Sequence, residues 1–431
     1  MRKPLVLTGL CVVTLISVPP APGEEEPLLH ASYSGPREPE ALGPQFVRAM
    51  ERPGVQEALL AFSEGSQEVG VLAAALRGSG LTPAELERLQ LIRRHGDRYA
   101  LDFWLSTRKD LDRIRSVAEV EGRGLAAAVL GRRGEIEAIL ERIPQPGADP
   151  ATLAFFLVGC VSLDWDGLNL TAEKGYRTEP GPGRYLPTAR EPGGGGSRRG
   201  LYWGSHNMHL PTALTTFGDH DAVRYGFPDL LWRMDTTLNG IEAPEALKPR
   251  ISDLADSWHG ALLQQVGDIM LHLRERDRTR DELAQAAGLT ESEADTLLGL
   301  LVELEYVREV ADDRFRAEIP VLTERDTAAV SDLRRLGRTI MERWLADRHD
   351  SLRQALADLT AARQGVPLAD NFSQIWHYLF AVANRVLVES GFLADPYAPE
   401  RKYKGYIPAV YRLSVVMGPL DAEAEDGEGL R

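Results

Sequence analysis

Apolar residues recur at helical spacing along two long stretches of the chain, separated by a Gly- and Pro-rich interval. In "VGDIMLHLRERD", Val266, Ile269, Met270 and Leu273 share one helical face. Leu297, Leu300, Leu301 and Leu304 repeat that pattern in "ESEADTLLGLLVELEYV". Thr279 and Glu282 have the spacing of a capping box, as do Thr290 and Glu293. Gly288 stands where a helix end needs a positive φ. Residues 306–310 and 315–319 flank Asp312 and Asp313 and predict a two-stranded hairpin. After the "TERD" cap, Val330, Leu333, Leu336, Ile340, Trp344 and Leu345 predict a long amphipathic helix.

The same order is legible earlier. "DRYALDFWLSTRKDLDRIRSVAEV" (97–120) aligns without a gap on "DRFRAEIPVLTERDTAAVSDLRRL" (313–336), an offset of 216 residues, as from Asp97 to Asp313. Thr107 and Asp110 fall on Thr323 and Asp326, and Ile136 and Leu140 on Leu352 and Leu356. The chain therefore reads as an internal duplication, 46–176 and 255–395. A Gly/Pro-rich linker and an aromatic-His loop (177–254) lie between the copies, and 396–431 is left as a C-terminal tail.

The succession of helix, capped helix, turn, capped helix and hairpin resembles the winged helix-turn-helix fold of arsenic-repressor-like and multiple-antibiotic-resistance-like regulators. The resemblance implies a mainly α fold with small two-stranded β wings, in tandem units each followed by a helical arm. Such arms often make dimers in those regulators, so pairing of the two copies as a pseudo-dimer is one reading of the apolar stripes, and simple core packing of each stripe is an equally good one. The resemblance carries no catalytic motif.

Charge then narrows the choice of ligand. The net charge is −15, which opposes nonspecific attraction to DNA or anionic lipid. The second helix of the second copy carries Glu291, Glu293, Asp295, Glu303 and Glu305 and lacks the Arg, Lys, Asn or Gln that read bases. The first copy offers Arg88, Arg93 and Arg94 as candidate phosphate contacts beside Glu85 and Glu87. DNA is thus disfavoured, and a protein partner or self-association is expected.

The N-terminus, "MRKPLVLTGLCVVTLISVPPAPGEEE", has a positive start, an apolar run over 5–18 and small residues before Glu24. Residues 1–23 read as a signal peptide or N-terminal anchor, so the protein is expected to be exported or periplasmic, or membrane-anchored. Cys11 lies in that run, and Cys160 alone supports no disulfide framework.

Candidate chemistry concentrates in "LYWGSHNMHLPTALTTFGDHDAVRYG". His206, His209, Asp219, His220 and Asp221 could hold a divalent metal. The His-x-x-His spacing lacks the glutamate base of metalloproteases, and the plainer reading is an ordered aromatic loop. No nucleophile elbow, phosphate loop or dinucleotide fingerprint is present. The expectation is a non-enzymatic binding or assembly protein without a cofactor. The alternatives are a DNA-binding regulator and a metal-dependent hydrolase using the 206–221 segment.

Overall fold

The computed structural model describes residues 27–35, 41–180, 185–193, 200–208, 212–223, 259–310 and 313–420. The fold is mainly α-helical, with small sheets of three or four strands. The first half runs from β1 (His30–Ser34) through helices Leu42–Met50 and Val55–Leu60. β2 (Gln67–Glu68), helices Val69–Ala75 and Pro83–Arg88, and the hairpin β3 (Ile92–His95) and β4 (Arg98–Leu101) follow. β5 (Trp104–Ser106), the long helix Arg108–Leu130, helix Arg133–Leu140, the continuous helix Pro150–Glu173 and β6 (Leu186–Arg190) complete it.

The second half opens with the hairpin β7 (Tyr202–Met208) and β8 (Thr212–Asp219). It then repeats the series: helix His259–Leu273, β9 (Arg278–Thr279), helices Arg280–Ala287 and Glu291–Glu303, and the hairpin β10 (Val307–Glu309) and β11 (Arg314–Ala317). β12 (Val321–Leu322), helices Thr327–Ala355, Thr360–Arg363 and Phe372–Glu389, and β13 (Tyr406–Arg412) come last.

Sheet order carries the duplication further than sequence does. In both halves the short strand before the helix pair joins the second strand of the hairpin, in the orders β2-β4-β3 and β9-β11-β10, antiparallel throughout. The strand after the hairpin pairs in parallel with the strand that closes the half, β5 with β6 and β12 with β13. That closing strand pairs antiparallel with a strand from the start of the half, β6 with β1 and β13 with β8. The structural repeat therefore begins before residue 46 and ends beyond 176 and 395. The segment expected as linker and loop holds β6, β7 and β8, and the segment expected as tail holds β13.

These strands were illegible for a physical reason. All of β8, "TALTTFGD", is buried, so it does not alternate polar and apolar positions. Its Thr215 hydroxyl pairs with the Tyr411 hydroxyl at 2.9 Å and donates to the Asn207 amide oxygen at 2.7 Å, which satisfies it in the interior. β13 contains Pro408, which argues against a central strand. The two residues of β12 pair only with Val410 and Tyr411, so the donor missing at Pro408 falls where β12 does not reach.

The chain forms two compact units that do not follow its linear halves. One comprises residues up to Ala118, Thr171–Ser197 and Arg348–Ile375. The other comprises Glu119–Leu170, Arg198–Asp347 and Trp376–Arg431. Each unit thus contains the helix-pair module of one copy and an arm segment contributed by the other.

In the first unit, the turn after the second copy's long helix lies on the first copy's hairpin. The Leu101 amide donates to the Gln364 side-chain oxygen at 3.0 Å, and the Gln364 amide donates to the Phe62 carbonyl at 2.6 Å. Tyr176 stacks on His349, ring centroids 4.1 Å apart.

In the second unit the relation is reciprocal. Gln145, from the first copy, accepts from the Val321 amide at 3.0 Å and donates to the Val321 carbonyl at 3.2 Å. The buried Arg334 guanidinium makes two bonds to the buried Asp166 carboxylate, at 2.9 and 2.7 Å. Close helix crossings need glycine here. A Cβ at Gly122 would stand 2.6 Å from the Leu379 carbonyl oxygen, and one at Gly337 would stand 2.9 Å from the Ser162 Cβ.

The second unit is also built around the Pro150–Glu173 helix. By length and composition this helix could cross a membrane, but 89% of its apolar window is buried within the fold. Its middle, Phe155–Asp166, is π-helical, and every residue of that stretch except Trp165 is buried. Its hydrophobicity is therefore that of a core helix.

Candidate functional site

The helix pair that raised the question of nucleic acid is formed as its caps dictate. Thr279 caps Arg280–Ala287 and Thr290 caps Glu291–Glu303, each with a complete capping box. Gly288 ends the first of these helices at φ 65°. Leu283, Leu297, Leu301 and Phe315 join Val266, Met270 and Val410 in one buried cluster.

Four of the five acids, Glu293, Asp295, Glu303 and Glu305, are used inside their own unit. The Glu293 carboxylate accepts from the Thr290 amide at 2.8 Å and its hydroxyl at 2.7 Å, and these bonds hold it below the ordinary carboxylate range. Asp295 pairs with Arg280 at 2.6 Å, and Arg280 also reaches Asp313 at 3.0 Å. Glu303 pairs with the Lys402 ammonium and accepts from the Tyr403 hydroxyl at 3.1 Å. Glu305 accepts from the Lys402 amide at 2.9 Å. Lys402 and Tyr403 belong to the segment that leads into β13, so the C-terminal end of this helix is tied to the closing strand.

The three arginines of the first copy do not form one stripe. Arg88 is exposed in the last turn of Pro83–Arg88. Arg93 and Arg94 are neighbours on β3 and so point to opposite faces. Arg93 donates to Asp102 at 2.9 Å, to His95 at 2.9 Å and to the Gln364 carbonyl, which draws it onto the arm of the other copy. Arg94 is exposed and donates to the Gly96 carbonyl at 2.9 Å.

Sequence reasoning missed a different feature of this copy. Helix Val69–Ala75 buries Leu72, while Gly70, Val71, Ala73, Ala74 and Ala75 are exposed, and Val71 is 54% exposed. The signal was present in "VGVLAAAL", where no charged residue marks the outer face.

Of the candidate metal residues, the structure describes the side chains of the consecutive Asp219, His220 and Asp221. His209 and the side chain of His206 lie outside the described residues. Backbone pairing sets His206 on β7 opposite Thr216. Asp219 is buried and accepts from the Gly200 amide at 2.8 Å, the Asp221 amide at 3.1 Å and the Tyr397 hydroxyl at 2.8 Å. It ties the hairpin to the 397–405 segment. His220 lies 3.3 Å from the exposed Asp221 carboxylate. No group of three or more His, Cys, Asp or Glu suited to a metal ion occurs among the described residues.

Burial shifts two titratable groups of the Pro150–Glu173 helix. Burial pushes the Cys160 thiol up, with the nearby Asp164 adding to the effect. Burial alone pushes the Asp164 carboxyl well above its usual range.

No protein-family model, curated protein or solved structure matches this chain.

Proposed function

We propose that the chain is a non-enzymatic binding or assembly protein built as a fused pair of winged-helix units. The observation that carries this reading is the repeated order of helix, strand, helix pair and hairpin, with the same strand order in both copies. The helical arms then correspond to the dimer-making helices of the regulators the sequence resembles. Reading DNA is disfavoured by two local facts. Glu291, Glu293 and Asp295, the exposed acids at the start of helix Glu291–Glu303, oppose phosphate, and Arg93 is drawn onto Gln364. The uncharged outer face of Val69–Ala75 is the better contact surface for a protein partner. The apolar run over 5–18 supports a place outside the cytoplasm or at a membrane.

The test is retention of the purified protein on random-sequence duplex DNA across a salt series, paired with site-specific photo-crosslinking in cells that make the protein. A crosslinker at position 71 should yield a discrete protein adduct and one at position 291 none, with no salt-dependent DNA retention. Salt-sensitive retention abolished by Arg94→Glu, without an adduct from position 71, would replace this reading with a DNA-binding regulator.

A further inference from the structure

Each copy lends its arm to the other, and the exchange is reciprocal at matched positions. In the first unit, Asp110 of the first copy caps the long helix and accepts from the Thr360 amide of the second at 2.9 Å. Gln364 of the second copy bonds both Leu101 and Phe62 of the first. In the second unit, Gln145 and Asp166 of the first copy bond Val321 and Arg334 of the second. Glu119 of the first copy makes two bonds to Arg385 of the second, at 3.1 and 2.6 Å.

Each copy thus supplies partners for groups of the other. Asp110 is buried, and without Thr360 one of its oxygens loses a donor inside the fold. Asp166 and Arg334 are both buried, and parting them would take a charged partner from each inside the fold. The covalent join at 193–200 adds only an effective concentration to contacts that are already complementary.

We infer that the two copies are held together by their exchanged arms and not by the peptide that joins them. The chain is an intramolecular version of a swapped dimer, in which the binding partner of each half is the other half. This does not depend on what the helix pairs bind.

The experiment cuts the full chain after folding. A specific protease site replaces the four-glycine run at 193–196, and the cut protein is passed over a sizing column at falling concentrations. Both fragments should elute together at the size of the uncut 47.5 kDa chain and part only in denaturant. Fragments that separate under native conditions would overturn the inference.

Adhesion that bypasses the arms is tested by charge reversal. Arg385→Glu places like charge against Glu119 and should raise the concentration at which the cut protein dissociates by about tenfold or more, and adding Glu119→Arg should restore it. The uncut Arg385→Glu chain reports whether the variant folds. A cut Arg385→Glu protein that dissociates no more readily than the parent would also overturn the inference.

Discussion

The starts of the two long helices meet the same need in different ways. Asp110 and Asp326 are counterparts, each closing a cap with a threonine three residues earlier. Each is buried and has a second oxygen to satisfy. In the first copy the donor is the backbone amide of Thr360. The residue 216 positions before Thr360 is Pro144, which has no N–H to offer. The second copy supplies Arg274 instead, 2.9 Å from Asp326, with both side chains 3% exposed. A bond from a neutral amide on an arm has thus been replaced by an ion pair made within the module. One fold can therefore keep a buried carboxylate by either route, as long as some donor reaches it.

The largest expected effect comes from breaking the ionic version. Asp326→Asn leaves Arg274 buried without a counter-charge and should cost about 3–5 kcal/mol in chemical denaturation. A loss under about 1 kcal/mol would mean that water reaches this site. Replacing Asp326 and Arg274 together with apolar residues of similar volume should restore much of the loss.

Thr360→Pro is the sharper probe of the neutral version. Thr360 is the first residue of its short helix, where proline fits the backbone, so the change removes little beyond the donor. It should cost about 1–3 kcal/mol, the penalty for an unsatisfied buried acceptor. In the Asp110→Ala background the same substitution should cost much less, and equal costs in both backgrounds would show that Thr360 acts in some other way.

Asp164 and Asp166 extend the comparison to the core helix. Both are buried, but only Asp166 faces an arginine. Burial raises the folded-state pKa of Asp164 above its unfolded value near 4, so the unfolded chain gives up this proton first. Its contribution to stability is therefore present below about pH 4 and is lost as pH rises toward the folded-state pKa. Asp164→Asn should raise stability at neutral pH and flatten that slope, as read from midpoints between pH 4 and 8. A variant that is less stable at neutral pH would show that the ionised form is held in the fold.

The smallest effect belongs to the pair of Glu303 and the half-exposed Lys402. Lys402→Met should change stability by less than about 1 kcal/mol, and 1 M salt should mask most of the difference.

What was legible in the sequence was local. The boxes at Thr279 and Thr290, the turn at Gly288 and the hairpin strands of the second copy appear where spacing placed them, because caps and turns are decided within a few residues. The β1-β6-β5 and β12-β13-β8-β7 sheets were not legible. They join segments far apart in the chain, and their buried strands do not alternate. The pairings of surface charges were not legible for a related reason. Asp295 and Glu303 read as unpaired acids until Arg280, Lys402 and Tyr403 arrive from other parts of the unit. Arg93 looks like a phosphate contact until Gln364 is brought to it from the other copy.

The reciprocal exchange of arms is tested most directly by native-state hydrogen exchange on two single variants. Gln364→Ala should speed exchange at the Leu101 amide in the first copy and leave Val321 protected. Gln145→Ala should do the reverse, exposing Val321 in the second copy and leaving Leu101 unchanged. If each substitution instead loosened only the hairpin of its own copy, the arms would not be exchanged and the account would fail.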